Sequence, residues 1–231
     1  MLFSFLLSCS GKVSPSFSDY QIDFSLFETK KTLKILFLTD VHWEFQSEGA
    51  KQSAYLNALV KNSNPDLIML GGDQVTNPIN ENYETFFDVC EGFSSLLGRD
   101  LYYGLVWGNH DDQTYWENLS SHSLSETNPH CLYREVEDSL SGESNYLINL
   151  KKNGKTLWQL YALDTNSYVY SSGEFSGYDS LHEEQIDWFE SEVKAAKGKN
   201  PGVKNLAFLH IPLWESEFAY RLSGQRGDER G

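Results

Sequence analysis

Leu33–Thr39 (LKILFLT) is an almost unbroken apolar run with charge before it and Asp40 after it, the pattern of a buried strand. Ser53–Lys61 then carries apolar residues at helical spacing (Ala54, Leu56, Leu59, Val60) and stops before Asn64-Pro65. Asp66–Leu70 (DLIML) is a second buried strand, broken by Gly71-Gly72. Asn82–Leu97 reads as a helix with Phe86, Val89, Phe93 and Leu97 near one face, and Leu101–Trp107 as a third strand before Gly108. Strand, helix, strand, helix, strand is the order of a layered α/β or αββα fold.

The later pattern differs. Tyr146–Leu150 and Thr156–Asp164 predict paired strands around Lys152-Asn153-Gly154, a hairpin signal. Ser180–Lys197 predicts a helix capped by Ser180 with Glu183 three residues on, and Ile186, Phe189 and Val193 facing the core. Lys204–Leu209 predicts one more strand, ending at His210. There is no internal repeat or low-complexity tract. The expectation is one domain, residues 31–231, with mobile material at both ends and at Ser171–Gly177.

The chain has 231 residues, 40% of them hydrophobic and 14% aromatic, enough for a sizeable core and unlike a disordered segment. Its net charge of −15 repels the nucleic-acid backbone, which argues against a general nuclease. It equally repels small phosphorylated substrates unless bound cations reverse the local charge. Three cysteines, Cys9, Cys90 and Cys131, are too few for a disulfide framework. Cys90 falls in a predicted helix and Cys131 begins a predicted strand, so both read as small buried hydrophobes. No apolar stretch is long enough for a transmembrane helix. The first nine residues, ending in Ser8-Cys9, resemble the end of a bacterial lipoprotein signal, without its basic region and with a short apolar run. Ser10–Asp19, rich in Ser, Gly and Pro, reads as a tether. Residues 1–30 are thus expected to be a signal remnant and tether, with a lipid anchor at Cys9 and an exported, membrane-anchored protein. The alternative is a packed or disordered N-terminus on a cytoplasmic one.

The informative chemistry lies at the C-terminal ends of the strands, where ligands collect in open α/β sheets. The first ends in Asp40-Val41-His42, the second in Gly71-Gly72-Asp73, the third in Gly108-Asn109-His110-Asp111, and a later one in His210. Singly, such residues are turn formers, caps or solvated side chains. Four strand ends delivering D-x-H, G-D, G-N-H-D and H in order are not explained by turn chemistry.

Together these segments resemble the calcineurin-like metallophosphoesterase superfamily, over roughly Leu33–Pro212. LHEEQIDWFE and FLHIPLWE resemble the members related to purple acid phosphatases. The resemblance implies a four-layer αββα sandwich with the metal site at the strand C-terminal ends. It implies two-metal-dependent hydrolysis of phosphate mono- or diesters by metal-activated water, with small phosphorylated substrates. Asp40 and His42 would bind the first metal, Asp73 would bridge both, and Asn109 and His210 would bind the second. His110, and Asn109 beside it, would contact the phosphate. His110 would also assist the leaving group, with Asp111 orienting it. Carboxylate and imidazole suit Fe, Mn, Zn or Ni, as divalent or trivalent ions. Two ions about 3.5–4 Å apart clamp the attacking and leaving oxygens of phosphoryl transfer.

The family closes its site with a G-H-x-H motif downstream, and no histidine follows His210 here. The chain is therefore expected to be C-terminally incomplete, with the polar run SGQRGDERG as an exposed loop. The alternative is a fold-retaining binding or regulatory protein with impaired catalysis. His122, His130 and His182 sit in loop or helix-surface contexts, not ligand positions. Asp73-Gln74-Val75-Thr76 lacks the metal-binding tyrosine of purple acid phosphatases, so no iron–tyrosinate site is implied. Trp43, Tyr115, Trp116, Tyr168, Tyr170 and Trp214 are available for packing or for stacking on a substrate. Asp164 reads as a turn former or a support for the site.

Overall fold

The structure is a computed structural model that describes residues 14–28, 30–44, 47–76, 80–111, 128–134, 140–143 and 145–222. Cys9 with its expected signal remnant, Tyr115, Trp116, His122 and the polar run at 223–231 lie outside the described residues. In chain order the elements are β1 (Ser16–Ser18), β2 (Gln21–Phe24), a 3-10 turn (Leu26–Glu28), β3 (Ile35–Leu38), α1 (Ser47–Ser63) and β4 (Leu67–Gly71). Next come α2 (Asn80–Leu97), β5 (Tyr103–Val106), β6 (Tyr146–Lys152), β7 (Lys155–Ala162), β8 (Tyr168–Ser171) and β9 (Glu174–Tyr178). The chain continues through α3 (Glu183–Lys199), β10 (Lys204–Phe208) and α4 (Trp214–Leu222).

β3, β4 and β5 form a parallel three-stranded sheet in sequence order. Central β4 is buried at every residue, as its uninterrupted apolar sequence demands. The crossovers α1 and α2 pack Leu56, Val60, Phe86, Phe87, Cys90 and Phe93 into the same core as Ile68, Leu70 and Leu105. Each such side chain, fully buried, contributes about 1.5–3 kcal/mol.

The second sheet is mixed, in the order β1-β2-β6-β7-β10. Here alternation decides the layering. Ile148, Leu150, Leu160 and Ala162 join the main core, whereas Leu147, Tyr161 and Leu163 point the other way, toward Trp188, Phe189 and Val193 of α3. Two helices, two sheets and a further helix therefore stack as αββα, the fold expected from the sequence.

Several expectations need correction. The tether was placed across Ser10–Asp19, and the domain was expected to begin at residue 31. Instead β1 lies within that stretch, and β2 pairs in parallel with β6 (Ile22 opposite Ile148) and buries Ile22 and Phe24. Ser171–Gly177, read from the sequence without secondary structure, belongs to the β8–β9 hairpin. Its turn residues Ser172 (φ 54°) and Gly173 (φ 85°) are both left-handed, as a tight two-residue hairpin requires. Helix α3 is capped at His182, whose N–H donates to buried Gln185 at 2.8 Å, rather than at Ser180. Cys131 makes only an isolated bridge with Tyr103, although it and Cys90 are buried free thiols as anticipated. α1 is longer than expected, and α4 was not foreseen. No described helix is long and apolar enough to cross a membrane.

Candidate metal centre

β3, β4 and β5 run parallel, so their C-terminal ends open on the same side, and the loops after β3 and β4 are zipped together there by backbone hydrogen bonds. Asp40 N donates to Gly72 O, His42 N to Asp73 O and Trp43 N to Gln74 O, each at 3.0 Å. The His42 carbonyl also accepts from Gln52 of α1 (3.0 Å) and from the Thr76 hydroxyl (2.8 Å). Asp40 (φ 52°), His42 (φ 44°) and Asp73 (φ 51°) are all left-handed, a conformation uncommon outside glycine. Aspartate and histidine tolerate it better than most residues. Here it turns their side chains back over the strand ends.

Two glycines allow the close approach. A Cβ on Gly72 (φ 96°) would lie 2.4 Å from His210 Nδ1, and one on Gly108 would lie 2.2 Å from Asp73 Oδ1. Only hydrogen fits at either place.

The result is a compact donor set drawn from both sheets. Ligand atoms of Asp40, Asp73 and His210 all lie within 4.8 Å of one another. The two carboxylate oxygens of buried Asp73 face different imidazoles. Oδ2 lies 3.6 Å from His42 Nε2, and Oδ1 lies 3.4 Å from His210 Nε2. Asn109 Oδ1 is 3.1 Å from the same His210 nitrogen. Ligands held about 2.1 Å from one ion lie at most about 4.2 Å apart, so each of these pairs could share an ion. The oxygen and imidazole donors suit Zn, Mn, Fe or Ni. Asp73 is thus the carboxylate that stands between the two imidazoles.

His210 is oriented from behind. Its Nδ1–H donates to the Gly71 carbonyl at 2.9 Å, which leaves Nε2 facing Asp73 and Asn109. The Thr165 hydroxyl accepts from Ile211 N at 2.9 Å and ties this loop to the end of β7. Burial alone would lower the His210 pKa, but the hydrogen bond and charge of Asp73 outweigh it and raise the pKa to about 9. Asp73 mirrors this. Burial opposes its ionisation, yet hydrogen bonds from His210 and from His110 N–H (2.9 Å) hold its pKa below the ordinary carboxylate value.

His110 sits beside His42, ring centroids 5.2 Å apart and nearly edge-on. Asp111 does not do what the sequence suggested. Its carboxylate accepts from Tyr83 OH (2.6 Å), Gln74 N (3.0 Å) and Gly108 N (2.9 Å), and among the described residues it makes no bond to the His110 ring. It pins α2 and the loops after β4 and β5 together, a task for which a fully buried carboxylate with two oxygens is well shaped. Burial, the largest influence, pushes its pKa up to about 6 against these hydrogen bonds.

Of the remaining candidates, His130 pairs with Glu91 at 2.6 Å and His182 with Asp179 at 3.2 Å. Neither belongs to the acid–imidazole cluster around Asp73. Asp164 is a turn former, accepting from Asn166 N and Glu143 N at 2.8 Å each. Trp43 is buried packing, whereas Tyr170 and Trp214 are exposed. Tyr168 and Thr165 touch the site's framework and carried no motif that would reveal it.

The profile of the family described as "Calcineurin-like phosphoesterase" matches residues 33–229, most of the chain, and the protein belongs to that family. Among its relatives, the phosphatase DCR2 of Saccharomyces cerevisiae is 27% identical over 71% of this chain and 29% of its own length. A probable inactive purple acid phosphatase 14 of Arabidopsis thaliana is 26% identical over 82% of this chain and 55% of its own. The chain thus spans little more than half, or less, of these curated relatives. A dimetal phosphatase structure from Danio rerio aligns with a TM-score of 0.49 at 12% identity, covering 84% of this chain and 78% of that one.

Proposed function

We propose that this protein hydrolyses phosphate esters, mono- or diesters of small molecules, at a centre of two metal ions held by Asp40, His42, Asp73, Asn109 and His210. The observation that carries the proposal is the placement of Asp73, whose two oxygens address His42 at 3.6 Å and His210 at 3.4 Å. A bridging carboxylate needs that geometry. Metal ions there supply positive charge for the phosphate and lower the pKa of water, in a chain whose net charge of −15 would otherwise repel the substrate. His110, fixed through its backbone to Asp73, presents its imidazole to a phosphate oxygen and holds a proton for the leaving group. Asn109 offers its carboxamide on the other flank, and Asp111 keeps the loops carrying both residues in register.

The test is hydrolysis of p-nitrophenyl phosphate and bis-p-nitrophenyl phosphate with added Mn²⁺, Zn²⁺, Fe²⁺ or Ni²⁺. Turnover with at least one metal is expected, and Asp73→Ala should abolish it. A second reading, a fold-retaining binding protein with impaired catalysis, draws support from the likeness to a relative named as probably inactive. Tight metal binding without turnover of either ester would favour that reading.

A further inference from the structure

We infer that Tyr168 is a positioning residue that sets which face of the Asn109 carboxamide meets the second metal. The inference rests on the metal centre proposed above and concerns a residue outside its ligand set.

An asparagine can present either oxygen or nitrogen to a neighbour, and only the oxygen can bind a cation. In this structure Asn109 Nδ2 donates to Tyr168 OH at 2.7 Å, while Oδ1 lies 3.1 Å from His210 Nε2. The tyrosine therefore occupies the amide end and turns the oxygen toward Asp73 and His210. The backbone of the same residue is held too, because Ser167 Oγ donates to the Asn109 main-chain carbonyl at 3.3 Å. Residues 167 and 168 thus grip the backbone and the side chain of Asn109 together.

Tyr168 is itself held firmly. It opens β8 and pairs with Tyr178 across the hairpin. Its ring lies 5.6 Å from Tyr178, 5.7 Å from Phe175 and 6.3 Å from Tyr170. Val169, Tyr170, Phe175 and Tyr178 are all substantially exposed, so this hairpin buries little of its own apolar surface. Its aromatic residues brace one phenol against one metal-ligand candidate.

The experiment is a Mn²⁺ titration followed by calorimetry and by the electron paramagnetic resonance signal of free Mn²⁺. It compares wild type, Tyr168→Phe, Asn109→Asp and the double variant. Phenylalanine keeps the ring contacts and removes only the hydroxyl. The inference expects Tyr168→Phe to weaken the second binding step about 10- to 100-fold, as for other residues that orient a ligand from behind, and to leave the first step unchanged. It further expects that loss to shrink in the Asn109→Asp background, because both oxygens of a carboxylate can bind. An unchanged second step in Tyr168→Phe would overturn it. So would an equal loss in both backgrounds or in both steps, which would mark the tyrosine as hairpin packing alone. Wild-type protein that takes up no Mn²⁺ would instead overturn the metal centre, and this inference with it.

Discussion

Gly108→Ala should damage the protein far more than a single methyl group suggests. The added carbon would sit 2.2 Å from Asp73 Oδ1 and 2.4 Å from Asp73 N. Ordinary contacts of this kind lie near ~3.5 Å, so the loops after β4 and β5 must separate by about 1 Å. One obstructing atom is backbone, which cannot swing aside. The separation strains the His110 N–Asp73 bond (2.9 Å) and the Asp111 bridge between Gly108 N and Gln74 N. Overpacking alone costs ~1–3 kcal/mol, and a lost hydrogen bond to a charged acceptor a further ~1.5–3 kcal/mol. The sum, about 2.5–6 kcal/mol, is a large part of the ~5–15 kcal/mol that holds a domain together. Urea unfolding with Gly92→Ala as control is the assay. Gly92 lies in α2 with nothing within 4 Å of its would-be Cβ, so alanine there should stabilise by ~0.5–1 kcal/mol. The reasoning fails if both variants unfold within about 0.5 kcal/mol of wild type, since that is the scatter of inert substitutions.

Tyr83→Phe removes a donor from a buried carboxylate and should destabilise by about 1.5–3 kcal/mol in the same assay. In metal-free protein the raised His210 pKa gives stability that is fully present below pH 6.5 and is lost as pH rises through about 9. Denaturation midpoints in chelator should fall across that window and flatten in His210→Asn. Metal uptake at neutral pH should release the same proton, seen as a calorimetric enthalpy that varies with the buffer's ionisation heat. If the N-terminal reading holds, intact mass spectrometry of native protein will find Cys9 lipidated; an unmodified Met1 would refute it.

The candidate residues were legible because each follows an apolar run, two of the runs being stopped by glycine at Gly71-Gly72 and Gly108. Asp40, Asp73 and His210 fall into one cluster of donor atoms, and His42, Asn109 and His110 each lie against Asp73 or His210. The role of Asp111 was not legible, since its partners Tyr83 and Gln74 lie 28 and 37 residues away. β2 was missed for a similar reason. Four residues, QIDF, alternate weakly, and their burial is decided by a partner strand more than a hundred positions downstream. The β8–β9 turn could have been found. Asn153-Gly154 and Ser172-Gly173 are the same left-handed pair in the backbone, yet only the first is the dipeptide most associated with hairpins. The α3 cap was misplaced because Ser180 is the better capping residue in isolation. Buried Gln185 reaches from the first turn to Asn145 and the Asp164 carbonyl, and fixes the helix start at His182 instead.

Asp40, Asp73 and Asn109 stand on one sheet, whereas His210 arrives from β10 of the other. An ion gripped by Asp73 and His210 would therefore act as a rivet through the sandwich, reinforcing layers that otherwise adhere by apolar packing and a few hydrogen bonds such as those of Tyr146 OH with Leu105. Escape from the native state would then require either breaking metal–ligand bonds or first losing the ion. Chelation should accordingly shorten the lifetime of the folded protein more than it alters its shape, and proteases should find the stripped form before spectroscopy sees it change.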